Sequence, residues 1–91
     1  MRYRTSRKEV EKILEVISTK ELKYELIYHE FIGRWKYSIC TYTREPKLVD
    51  HWGYVYSYTN WEYKETVLGM TTLKNTYDFA VELLHKINLE Q

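Results

Sequence analysis

Residues 24–43, YELIYHEFIGRWKYSICTYT, decide the fold class of this 91-residue chain. Tyrosine, isoleucine and other strand-forming residues recur at every second position, which is typical of a β-strand. In the middle, Gly33-Arg34 is a glycine-first pair that favours a two-residue type II′ hairpin turn. The stretch therefore predicts two antiparallel strands in which the numbers of paired residues sum to 67.

The same alternation assigns each side chain of this hairpin to one of two faces. The more apolar face, with Glu30 as its exception, carries Tyr24, Leu26, Tyr28, Ile32, Trp35, Tyr37 and Ile39. The opposite face carries Glu25, Ile27, His29, Phe31, Lys36, Ser38, Cys40 and Tyr42. We expect the first face to form the core.

A helix is predicted before the hairpin. Ser6 and Glu9 have the spacing of a capping box, in which each residue bonds the other's backbone amide. Apolar residues follow with the spacing of one helical stripe, at Val10, Ile13, Leu14 and Ile17. The predicted helix covers residues 7–19.

A second pair of strands is predicted after Pro46, which lacks the amide that a sheet ladder needs. The strands cover residues 52–58 and 61–68 and turn at Thr59-Asn60; because this pair lacks glycine, one longer strand is the alternative. Gly69 is expected to end the strands.

A final helix is predicted at the end of the sequence, capped by Thr72 or Asn75. Its apolar stripe is Tyr77, Ala80, Val81, Leu84 and Ile87. The predicted fold is thus a small single α+β domain over residues 1–91: an N-terminal helix, an antiparallel sheet of three or four strands and a C-terminal helix (αββββα or αβββα). Residues 1–5 are expected to form a basic arm and residues 88–91 a fraying tail.

Composition narrows the functional classes. The chain of 11.2 kDa is 44% hydrophobic, as in folded globular proteins, and its apolar runs are too short to span a membrane. The first 30 residues carry charges throughout, unlike a signal peptide, and the single cysteine excludes an intrachain disulfide. We therefore expect a soluble cytoplasmic protein, inside the infected cell if its source is a virus.

Aromatic residues concentrate in residues 51–65, HWGYVYSYTNWEYKE. The candidate interaction surface comprises Trp52, Tyr54, Tyr56, Tyr58, Trp61 and Tyr63. Two helices with one apolar stripe each cover only one face of a small sheet, so these rings lie either under the helices or on an exposed platform. If the rings lie under the helices, they are half-buried residues of the sheet with a structural role. If they form an exposed platform, they indicate a protein-contact surface, most simply a homodimer face.

Nucleic-acid binding is the alternative hypothesis. The net charge of +1 combines a +4 N-terminus with a remainder of −3. Phosphate contacts would come from Arg2, Arg4, Arg7 and Lys8, while bases stacked on the aromatic rings.

No pattern in the sequence indicates catalysis. His29, Cys40, His51 and His85 lack the paired spacing of zinc ligands, and Cys40 has no base or orienting partner near it in the sequence. We therefore predict no catalytic residue, cofactor, metal or small-molecule substrate. The sequence predicts a non-enzymatic binding module that acts through a protein partner or a second copy of itself, without a membrane. A viral or mobile-element accessory protein would fit this prediction.

Overall fold

A computed structural model describes residues 6–48 and 56–90. The elements are α1 (Arg7–Ile17), β1 (Leu22–Phe31), β2 (Arg34–Thr43), β3 (Pro46–Leu48), β4 (Tyr56–Tyr58), β5 (Glu62–Thr71) and α2 (Leu73–Leu89). Their order confirms the predicted α+β class, with one helix at each end and antiparallel strands between them. None of the helices formed by the described residues is long and apolar enough to cross a membrane.

The strands form two sheets, which corrects the predicted second hairpin. The main sheet has the order β1-β2-β5, and β4 pairs with β3 in a separate two-stranded sheet. Thr59 does not begin a tight turn to the next strand but forms two hydrogen bonds with Glu45. The Thr59 amide donates to the Glu45 carbonyl at 2.9 Å, and the Thr59 hydroxyl accepts from the Glu45 amide at 2.9 Å. The chain before Thr59 therefore runs back along β3. Residues 52–55 of the predicted strand lie outside the described residues.

The first hairpin forms where predicted, with a register two residues away. Paired numbers sum to 65, from Leu22 opposite Thr43 to Phe31 opposite Arg34. The turn residues are Ile32 and Gly33, with φ of 46° and 76°, so the type II′ prediction at Gly33-Arg34 is wrong. Positive φ at both central residues matches a type I′ turn, whose backbone twist suits a hairpin. A shift of two preserves the face of every strand residue, so the predicted faces are confirmed except at Ile32, which lies in the turn.

Both helices pack on the predicted core face. The buried apolar residues are Val10, Leu14, Ile17, Leu26, Tyr37, Ile39 and Ala80. Three residues of the predicted core face are exposed instead: Ile32 is 102%, Trp35 47% and Tyr28 40% exposed. They lie at the hairpin tip, which extends beyond the part of the sheet that the helices cover.

Strand β5 is irregular where it pairs with β2. Its ten residues lie opposite Tyr37–Thr43, with register shifts at three places. At one shift the Thr41 hydroxyl donates to the Glu65 carbonyl at 3.2 Å. The strand also continues past Gly69 to Thr71, so the prediction that Gly69 ends the strands is wrong. A glycine inside a bulged strand is the expected alternative to a strand end.

Hydroxyl side chains set the helix ends. Ser6 accepts from the Glu9 amide at 3.3 Å, as predicted, and Thr72 rather than Asn75 caps α2, accepting from the Asn75 amide at 3.3 Å. Helix α1 ends at Ile17 instead of Thr19 because Ser18 is extended. The Ser18 hydroxyl donates to the Leu14 carbonyl at 2.6 Å and accepts from the Tyr24 amide at 2.9 Å, which ties α1 to β1.

Candidate functional site

An aromatic cluster lies at the end of the main sheet where β2 ends and β5 begins. Of the predicted surface, Trp52, Tyr54 and the side chain of Tyr56 lie outside what the structure describes. The described members, together with a tyrosine that the prediction did not include, form what we call the terminal aromatic cluster: Tyr42, Tyr58, Trp61 and Tyr63. Tyr42 and Tyr63 are paired in register, and their rings meet edge to face at 6.1 Å.

Two cations of the chain occupy this cluster. The Arg44 guanidinium lies 4.3 Å from the Tyr58 ring centroid and 4.2 Å from that of Trp61. The Lys23 ammonium lies 4.9 Å from Trp61 and 5.1 Å from Tyr42. Sequence reasoning missed both cations, because they come from β1 and from the segment after β2, far in sequence from the rings they contact. The contacts are cation–π interactions that hold separate elements together.

The exposed part of the terminal cluster is mainly Tyr63, whose side chain is 59% exposed and whose hydroxyl lies 2.7 Å from the Thr66 hydroxyl. Tyr42, Tyr58 and Trp61 are half-buried. Burial, followed by the nearby Glu25 carboxylate, raises the pKa of Tyr42 above its usual value. The phenol of Tyr42 is therefore neutral over the physiological pH range.

A second aromatic group lies at the opposite end of the sheet. We call it the hairpin-tip patch: Tyr28, Phe31, Ile32 and Trp35. Phe31 is 52% exposed, and Tyr28 meets Trp35 edge to face at 6.5 Å. With Ile32 fully exposed, this patch presents more apolar surface to solvent than the terminal cluster. The hydrophobic pattern had placed Ile32 and Trp35 in the core, and only their position beyond the helices reveals the patch.

The described part of the predicted basic arm packs against this patch. Arg2 and Arg4 lie outside the described residues, whereas the Arg7 guanidinium lies 4.9 Å from the Tyr28 ring and 5.5 Å from the Trp35 ring. Lys8 lies on the exposed side of α1, in a shallow groove that it shares with Glu9, Glu11, Lys12 and Glu15. Neither cation lies near the terminal aromatic cluster, so among the described residues the structure separates the two predicted parts of a nucleic-acid site.

Tyr28 connects the hairpin-tip patch to α1. Its hydroxyl donates to the Glu11 carboxylate at 2.8 Å. Burial, and then this hydrogen bond, raise the pKa of Tyr28 above its usual value. The contact anchors the hairpin to the helix close to the exposed residues.

The sheet face turned away from the helices lies between the two aromatic groups. There His29 Nε2 is 3.0 Å from the Ser38 hydroxyl, and Cys40 Sγ is 3.5 Å from the Thr66 hydroxyl. Within residues 6–48 and 56–90, no three His, Cys, Asp or Glu side chains converge as a metal site would require. On this face the imidazole of His29 and the thiol of Cys40 each contact a hydroxyl of a neighbouring strand.

Comparison with known proteins adds no assignment: no protein-family model matches the chain, and no curated protein or solved structure is significantly similar to it.

Proposed function

We propose that this protein is a non-enzymatic binding module that acts through protein–protein contacts, including self-association. The observation that carries the proposal is the hairpin-tip patch, where Ile32 is fully exposed in the turn and Phe31 and Trp35 are exposed beside it on opposite faces of the hairpin. Clustered exposed apolar residues are typical of protein interfaces, and tryptophan is enriched among the residues that dominate binding energy.

The backbone of Ile32 supports this assignment. A β-branched residue at φ 46° is strained, by about 1–3 kcal/mol, and Asn or Gly would fit the same turn without that strain. The side chain gains nothing in return from packing within the chain, since it is fully exposed. An apolar residue that is both strained and exposed is explained by a contact with another molecule.

Nucleic-acid binding remains the second candidate because Lys23 and Arg44 alternate with aromatic rings in the terminal cluster. Alternating rings and cations are the composition of a single-strand binding surface. Against this candidate, both cations already lie over rings of the same chain, and these contacts leave them less available to bind a phosphate. Tyr63 offers the most exposed ring of the cluster.

The Ile32→Asn variant tests the proposal sharply, since it removes the exposed side chain and relieves backbone strain. We expect quantitative affinity capture from cells of the source organism to identify a protein that wild type retains. The amount of this protein captured by Ile32→Asn should be at least tenfold lower. The matched control is Leu89→Asn, which removes another exposed apolar side chain (86% exposed) from the end of α2 and should retain that protein. Capture that does not distinguish the two variants would contradict the proposal.

The alternative is tested by titrating tryptophan fluorescence with mixed-sequence single- and double-stranded DNA and RNA at low and moderate salt. The proposal expects no saturable change. Quenching that saturates and weakens steeply with salt would replace it with nucleic-acid binding, because phosphate contacts release counterions.

A further inference from the structure

We infer that β1 pairs with β1 of a second copy about a two-fold axis, joining two three-stranded sheets into one continuous six-stranded sheet. This inference rests on the self-association part of the proposed function and deepens it by naming the surface and the register. The pairing uses Tyr28 of the hairpin-tip patch but not Ile32, which lies in the turn beyond β1 and is the residue changed in the capture experiment, so the two proposals can fail separately.

Strand β1 is an edge of the main sheet, and its even-numbered residues direct their backbone groups outward. The Leu22 amide bonds the Thr19 hydroxyl at 3.0 Å and the Tyr24 amide bonds the Ser18 hydroxyl at 2.9 Å, both away from β2. Because this direction alternates along a strand, the groups of Leu26, Tyr28 and Glu30 also face outward. No described residue bonds their backbone groups on that side. A second strand would satisfy those of Leu26 and Tyr28.

Strand β1 has few of the features that natural edge strands use to prevent pairing, although it carries the charged residues Lys23, Glu25 and Glu30. Bulges, proline, lysine and short length protect an edge. The other edge, β5, has three register shifts against β2, whereas β1 pairs with β2 over ten residues without a shift. The sequence of β1, LKYELIYHEF, contains no glycine or proline and one lysine, Lys23, near its start. The irregular edge is protected, and the regular edge is open to a partner.

The sequence of β1 is self-complementary in one symmetric register. A two-fold pair whose outward groups meet is centred on a residue, and the registers near the middle of the strand include those centred on Leu26, Ile27 and Tyr28. Centring on Ile27 places Glu25 opposite His29 of the second copy, twice by symmetry, and Leu26 opposite Tyr28. Carboxylate–imidazole and aliphatic–aromatic pairs across strands are stabilising.

The two neighbouring registers lack this complementarity. Centring on Leu26 would place Lys23 opposite His29, two basic side chains. Centring on Tyr28 would place Glu25 opposite the apolar Phe31, so that its carboxylate would have only Lys23 of its own strand, at 3.3 Å, as a partner. The Glu25–His29 pair therefore favours the register centred on Ile27, in which Lys23 lies opposite Phe31 and keeps its ion pair with Glu25 of its own strand.

The structure leaves room for the second strand beside α1. A groove of about 400 Å³ lies between α1 and β1, and its lining comprises Leu14, Tyr24, Leu26 and Tyr28 together with Glu11, Glu15 and Glu25. In the Ile27 register, Tyr28 of the second copy lies beside Leu26 on the helix side of the sheet. Its ring would add to the apolar part of a lining that also carries three carboxylates.

Two measurements test the inference. Light scattering during size-exclusion chromatography should give twice the 11.2 kDa chain mass at micromolar and higher concentrations. Disulfide trapping in a Cys40→Ser background then tests the register, since opposite residues in a non-hydrogen-bonded pair lie about 4.5 Å apart at Cα, within the range that a disulfide spans. Ile27→Cys should cross-link to itself, and Glu25→Cys mixed with His29→Cys should cross-link while neither does so alone.

Lys64→Cys, on the opposite edge, is the matched control and should stay uncross-linked. A monomer at all concentrations would overturn the inference. A dimer in which Lys64→Cys cross-links, or Ile27→Cys does not, would overturn it as well. None of these results bears on the capture experiment with Ile32→Asn and Leu89→Asn, so failure here leaves binding through the hairpin-tip patch intact.

Discussion

At the scale of single residues, tyrosine hydroxyls connect stability to pH. The pKa values of Tyr24, Tyr28 and Tyr42 are raised, in each case mainly by burial. An unfolded tyrosine titrates near pH 10. Raised folded pKa values mean that the folded state keeps these protons more tightly than the unfolded state. The resulting stabilisation is complete below about pH 10 and is lost as the pH rises through the raised values.

Tyr28→Phe tests this dependence at the residue where a named hydrogen bond contributes. We expect the free energy of unfolding of wild type, measured in urea, to fall between about pH 9.5 and 11, and to fall less steeply in Tyr28→Phe. Lysines titrate in the same range in both proteins, so the difference between the two curves isolates Tyr28. Parallel curves would show that the contact with Glu11 does not shift the titration.

At the scale of elements, the local sequence pattern predicted the side-chain faces of the β1–β2 hairpin but not the position of its turn. The period of two placed each side chain on its correct face, and the capping residues Ser6 and Thr72 were evident from their spacing. The turn was predicted one residue too far along the chain, because Ile32 is a poor residue for positive φ and the glycine-first rule favoured Gly33-Arg34. Strand pairing outweighed this local preference.

Ile32→Asn should stabilise the hairpin, since Asn-Gly is the preferred type I′ pair. We expect the free energy of unfolding to rise by about 1 kcal/mol in a urea titration. Gly33→Ala is the opposing control: no atom lies within 4 Å of an added Cβ, so the φ of 76° alone should make it less stable. Equal or lower stability of Ile32→Asn would contradict the strain assigned to this turn.

At the scale of the whole molecule, Arg44 joins segments that are distant in sequence. Its guanidinium lies over Tyr58 of β4 and Trp61 before β5, and its Nε donates to the Lys20 carbonyl before β1. One half-buried side chain thus connects both sheets and the α1–β1 connection.

Replacing Arg44 should weaken these connections together. We expect Arg44→Met to lower the free energy of unfolding by about 1–2 kcal/mol, with altered tryptophan fluorescence in the folded state. Arg44→Lys, which keeps the charge but loses the planar guanidinium, should fall between methionine and wild type. Unchanged stability in both variants would show that the terminal aromatic cluster holds its geometry without the cation.

The candidate site was predictable only in part. Tyr58, Trp61 and Tyr63 were identified from aromatic density, and the structure adds Tyr42 and brings these rings together. The hairpin-tip patch was not predicted, because periodicity reports which face a residue occupies and not how far along the strand the helices reach.

By itself, the sequence determined the types and order of the main elements, the helix caps and the faces of the first hairpin, because each depends on residues close together in the chain. Only the tertiary structure decided the strand order β1-β2-β5 and the pairing of β4 with β3. It also decided that Lys23 and Arg44 meet the aromatic rings. These features depend on contacts between segments that are distant in sequence. The free energies of such contacts compete across the whole chain, so no local sequence pattern predicts them.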